Sequence, residues 1–120
     1  MIEQLHITGV HMQVGDDLQK YVTKKLARLD RYVPKASRES LKVDVKLKEE
    51  KNKGQKLCTC EVIVSLPQET ITITEDTINI FAAVDIAETR LRQQLRRYKD
   101  LHMNPRLHRR IIARLKHRPV

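Results

Sequence analysis

The sequence predicts an α+β domain: a β-α-β-β-β-α chain with a four-stranded, mostly antiparallel sheet and two helices packed on one face. Three observations predict it. Two long stretches repeat apolar residues at helical spacing, four shorter ones alternate them with polar residues, and 120 residues suit one compact domain.

Residues 2–9 place Leu5 and Ile7 on one side of a short strand that Gly9 ends. From Asp16 to Val33, the positions Leu18, Val22, Leu26, Leu29 and Val33 follow helical spacing. Asp16 and Asp17 suit the positive end of that helix, Gly15 or Asp16 is its cap, and Pro34 blocks its continuation. Leu41, Val43, Val45 and Leu47 then alternate with Lys42, Asp44, Lys46 and Lys48, which predicts a half-buried strand, and the polar run 49–55 reads as the hairpin turn. A third strand over 56–66 sets Cys58, Cys60, Val62, Val64 and Leu66 on one face. Pro67 and Gln68 turn the chain into a fourth strand, where Ile71 and Ile73 alternate with Thr70, Thr72 and Thr74. The second helix, residues 79–99, buries Ile80, Val84, Ala87, Leu91, Leu95 and Tyr98, with Asn79 or Thr77 as its cap.

These elements make one domain, residues 1–100, followed by a basic tail, 101–120. Within the tail Asn104 and Pro105 suit a helix start, and Leu107, Ile111 and Leu115 recur every four residues. A short amphipathic helix and a segment that orders only on a partner both fit this pattern.

The net charge of +9 favours a polyanionic partner. The tail alone carries Arg106, Arg109, Arg110, Arg114, Lys116 and Arg118 without an acid, so the rest of the chain is only mildly basic. A basic surface on the domain therefore requires that its cations be segregated from its acids. The aromatic residues are Phe81, Tyr21, Tyr32 and Tyr98, too few for an RNA reader built on base stacking. No run of apolar residues is long enough to span a membrane and no signal core opens the chain, which predicts a cytoplasmic protein with no membrane partner. Cys58 and Cys60 read as reduced, packed thiols, because two residues one apart make a poor bridge and no second pair completes a zinc site.

Enzymatic patterns are absent from the sequence. It has no glycine-rich phosphate loop and no HExxH, and His6, His11, His102, His108 and His117 have no patterned partners. The expectation is a non-enzyme without cofactor or metal. Asp85 reads as structural.

The helices carry the chemistry. At about 100° per residue, Lys20, Lys24, Arg28 and Arg31 form one stripe beside the buried face of the first helix, with Lys25 on its other margin. On the second helix Arg90 and Arg97 fall on one flank, and Arg92, Arg96 and Lys99 on the opposite one. Arg92 is the weakest of the ten, since Glu88 is spaced to pair with it. Side by side, the helices make a basic strip suited to an RNA backbone. An ordinary solvated helix face is the competing reading.

The segment KLARLDRY at 25–32 resembles the first-helix motif of the ribosome hibernation-promoting factor and ribosome-associated inhibitor family, the sigma-54 modulation protein family. NIFAAVD at 79–85, running into RLRQQLRRYK at 90–99, is similar to its second-helix signature, and ITG at 7–9 fits as well. The resemblance, to the short form of the family, implies a stress or stationary-phase factor bound to small-subunit rRNA in the channel used by mRNA and tRNA. It implies that such a factor competes with both, silences translation sterically, and is monomeric when free. By motif position Lys25, Arg28, Arg90 and Arg97 match the family's contacts, whereas Gln93 stands where the family has Arg and Arg92 where it has Glu. The basic tail is unlike the acidic tail of the inhibitor branch, and resemblance to the short form implies a factor without the ribosome-pairing domain of long members. A general double-stranded-RNA binder and a protein-interaction regulator are the alternative readings.

Overall fold

The computed structural model describes residues 2–103, so the expectations for the tail from Asn104 onward lie outside the described residues. The order is β1 Gln4–Val10, α1 Asp16–Leu26, a 3₁₀ segment Ala27–Tyr32, α2 Lys35–Arg38, β2 Lys42–Asn52, β3 Gln55–Ser65, β4 Thr70–Thr77 and α3 Ile80–Met103. The four strands form one sheet in sequence order. β1 and β2 are parallel, because the helix between them returns the chain to the starting edge; β2–β3 and β3–β4 are antiparallel. The predicted α+β class and mostly antiparallel sheet are observed.

Period-two alternation decides which face is buried. Leu5, Val43, Val64 and Ile71 share one row across the sheet, and Ile7, Val45, Val62 and Ile73 the next. The helices cover this face with the predicted stripes: Leu18, Val22, Leu26, Leu29 and Val33 from the first helical region, and Ile80, Val84, Ala87, Leu91, Leu95 and Tyr98 from α3, all buried. Cys58 and Cys60 are free thiols inside this core. At the far end of α3, the Tyr98 hydroxyl donates to Gln68 Oε1 at 2.6 Å and ties the helix to the β3–β4 turn.

Four local expectations are corrected. The first helix is not α-helical to Val33; after Leu26 it tightens into the 3₁₀ segment, and a separate short turn, α2, follows Pro34. The hairpin is not a seven-residue loop, since the strands pair through Asn52 and Gln55 around a two-residue turn. Lys53 and Gly54 have φ of 54° and 78°, the positive pair of a type I′ turn, whose twist matches that of the strands. Gly9 does not end β1, which runs to Val10; a Cβ there would lie 2.4 Å from the Met12 carbonyl oxygen, so the returning loop needs glycine. Finally, α3 continues past Lys99 to Met103. Its cap is Asn79, whose Oδ1 accepts from the Phe81 and Ala82 amides at 2.8 and 3.4 Å.

Candidate nucleic-acid interface

α1 and α3 lie side by side and run in the same direction, so α1 meets the early turns of α3 and the 3₁₀ segment its later ones. Where the middle and last turn of α1 meet the first turns of α3, the Tyr21 hydroxyl donates a short hydrogen bond to Asp85 Oδ1, and Lys25 Nζ lies 3.4 Å from the same oxygen. Tyr21 also meets Phe81 edge to face at 5.1 Å. Asp85 is thus the latch between the helices, in keeping with its structural reading. The hydrogen bond to Asp85, with burial and the carboxylate's charge behind it, pushes the Tyr21 phenol up to about 12.

At the other end the cations gather. The Arg31 and Arg96 guanidinium carbons stand 4.8 and 5.4 Å from the centroid of the Tyr32 ring. Arg31 Nη2 donates to the Tyr32 hydroxyl at 2.8 Å, and Lys99 Nζ reaches the Arg31 carbonyl oxygen at 3.5 Å. Partial burial raises the Tyr32 pKa, but hydrogen bonds from Arg96 and Arg31 outweigh it and hold the phenol below the usual tyrosine value. Cations at helix C-termini are partly ordinary dipole chemistry. Two guanidiniums on one ring, with Lys99 beside them, are a closer grouping than the dipole alone requires.

The 3₁₀ segment explains one misplacement. A continuous α-helix puts Lys25 on the margin opposite Arg31, yet Lys25 pairs with Asp85 of α3, and the Arg31 carbonyl oxygen and the Tyr32 ring meet Lys99 and Arg96 of the same helix. Each residue past Leu26 gains about 20° over α-helical phase, so Arg31 swings round by about 100° towards α3.

The ten predicted residues separate by pairing. Lys25 is tied to Asp85, Arg92 Nε lies 4.0 Å from Glu88, and Arg90 Nη1 lies 2.7 Å from Glu75 of β4, a carboxylate only 12% exposed. Arg90, and Arg97 two turns on, therefore point to the β4 side of α3, while Arg96 and Lys99 face the first helical region. Lys20, Lys24, Arg28, Arg31, Arg96, Arg97 and Lys99 form no ion pair with any described residue. All of them except the half-buried Lys99 are exposed. Among the described residues no cluster of His, Cys, Asp and Glu could hold a metal, and no helix is long and apolar enough to cross a membrane.

Three participants escaped the sequence reading. Glu75 falls at the inward position after Ile71 and Ile73, where a charge signals a buried partner. Tyr32 beside Arg31 is an aromatic among basic residues, and Tyr21 sits on the margin of the buried stripe.

A four-stranded sheet under two parallel helices, with cations on the helical layer that have no ion-pair partner among the described residues, makes a small α+β domain with a basic helical face. Residues 5–102 match the family described as Sigma 54 modulation protein / S30EA ribosomal protein, and the chain belongs to that family. It is 33% identical over 103 residues to a ribosome hibernation promotion factor of Deinococcus radiodurans, covering 83% of this chain and 51% of that one. It is 29% identical over 106 residues to the ribosome hibernation promotion factor of Lactococcus lactis, covering 86% and 54%. The chain spans about half the length of these curated relatives. Among solved structures it is similar to the Protein Y N-terminal domain of Thermus thermophilus, with a TM-score of 0.63 and 32% identity over 78% of this chain and 94% of that one. A ribosomal subunit interface protein from Coxiella burnetii, at 24% identity and TM-score 0.60 over 80% and 97%, shares the fold.

Proposed function

We propose that this chain is a ribosome hibernation factor: it binds small-subunit rRNA in the mRNA and tRNA channel and blocks translation by occupying it. The observation that carries the reading is the set of seven helix cations with no carboxylate paired to them among the described residues, which a phosphate backbone would neutralise. Relatives named as hibernation promotion factors supply the biological setting. No chemical step is needed, since the bound factor excludes mRNA and tRNA from the channel by occupying it. The reading places the protein in the cytoplasm as a monomer when free, with the tail from residue 104 adding electrostatic attraction.

Co-sedimentation with purified small subunits, with and without mRNA and initiator tRNA, tests it. The expected result is binding that mRNA and tRNA displace and that weakens steeply with potassium concentration. Equal affinity for an arbitrary RNA duplex would make the chain a general double-stranded-RNA binder instead. Indifference to mRNA and tRNA would remove the channel.

A further inference from the structure

We propose that Tyr32 is a positioning residue of the RNA interface, its ring holding Arg31 and Arg96 together so that both present their edges to backbone phosphates. The inference rests on the RNA-binding reading above and adds to it a residue that carries no charge.

Arg31, Arg96 and Lys99 come from two different elements, repel one another, and have no carboxylate paired to them among the described residues. Tyr32 gathers the two arginines, and Lys99 reaches the Arg31 carbonyl oxygen beside them. Both guanidinium carbons lie within 5.4 Å of its centroid, the hydroxyl accepts from Arg31, and the ring packs against the core, so its own position is fixed. A guanidinium is planar, with its donors on the rim and its faces free for stacking. Stacked on a ring, it keeps most of its N–H groups available while losing the freedom of a long side chain. An anion meeting the pair finds donors already ordered and relieves their repulsion, which is preorganisation in the ordinary sense. Lys20 and Lys24, exposed on α1, have no ring contact of this kind among the described residues. Lys25 lies 5.6 Å from the Tyr21 centroid but is already paired with Asp85.

The test compares Tyr32→Leu, Tyr32→Phe and the double reversal Arg31→Glu/Arg96→Glu in the full chain, by small-subunit affinity across a potassium series and by thermal melting. Tyr32→Leu is expected to weaken binding about fivefold, the size of one or two exposed cation–π contacts. Its salt slope should stay unchanged, because no cation is removed. Tyr32→Phe, which keeps the ring, should bind within about twofold of the parent, and the double reversal should abolish binding. Should Tyr32→Leu melt several degrees lower than the parent, Tyr32→Met takes its place with the same expectation. Parent-like binding by the leucine or methionine variant, alongside a dead double reversal, overturns the role of Tyr32 and leaves the RNA reading standing. Equal losses in the phenylalanine and leucine variants overturn the role of the ring. Parent-like binding by the double reversal overturns the RNA reading of this cluster, and the proposal with it.

Discussion

On the open face of the sheet Lys42, Lys46 and Lys48 stand 3.9, 3.9 and 2.8 Å from Asp44, Glu61 and Glu50. On the helical layer Lys20, Lys24, Arg28, Arg31, Arg96, Arg97 and Lys99 have no such neighbour among the described residues. The two surfaces use the same residue types. Strand geometry projects alternate residues to one face, so the acids and lysines of β2 and β3 share a surface and neutralise each other. A helix instead sorts residues by angle and can leave cations without acids beside them. Pairing, and not the count of lysines and arginines, therefore separates the two surfaces.

The largest test of this contrast is charge reversal on each surface. Arg28→Glu with Arg97→Glu should cut small-subunit affinity by roughly 100-fold or more, while Lys42→Glu with Lys46→Glu changes the net charge equally and should cost less than about threefold. Binding curves at one fixed salt decide it. Equal losses from the two pairs would mean that net charge alone drives association.

Arg90 sharpens the comparison from within the helical layer, because it is paired like a sheet lysine. Its removal leaves Glu75, 12% exposed, without a counter-charge. Arg90→Ala should therefore cost about 1 kcal/mol of stability, a figure already discounted for the exposure of Arg90, and should hardly change RNA affinity. Urea denaturation and the same binding assay read the two effects separately. A large loss of affinity in a stable protein would put Arg90 among the RNA contacts.

A smaller effect comes from the latch between the helices. The Tyr21 phenol is pushed up to about 12, above its ordinary value near 10, so its hydrogen bond stabilises the fold fully below pH 10 and that contribution is lost as pH rises towards 12. Tyr21→Phe should lower stability by about 1 kcal/mol or less at pH 8, with the difference from the parent vanishing near pH 12. Cys60 titrates in the same window, because burial and the neighbouring Glu75 push its thiol up to about 12. Only the difference between parent and variant isolates the tyrosine. The smallest effect concerns that thiol: at neutral pH Cys60 should react with a thiol reagent only on global unfolding. Rapid labelling of the native protein would contradict the buried, protonated state.

The core was legible in the sequence because burial repeats with the period of each element: every apolar position assigned to the two helical stripes is buried. The cations were legible as residues but not as partners. Arg90 looked as available as Arg97, since Glu75 is fifteen residues away and reaches it only through the packing of α3 on β4. The change from α to 3₁₀ after Leu26 has no punctuating residue, so the phase error at Lys25 and Arg31 followed from it. The hairpin was misread because charged residues suggested a loop, whereas Lys48 with Glu50 and Lys56 with Glu49 pair along continuing strands.

That hairpin outruns its neighbours. β1 pairs with β2 only as far as Lys48, and β4 with β3 only from Cys58, so the rungs Glu50–Leu57, Lys51–Lys56 and Asn52–Gln55 form a ribbon of two strands. A two-stranded ribbon is marginal by itself. Its amides should exchange with deuterium through local fraying while those of Val43, Val45, Val62 and Val64 wait for the whole domain to open. The molecule thus carries two clocks on the same pair of strands, a fast one at the tip and a slow one at the centre.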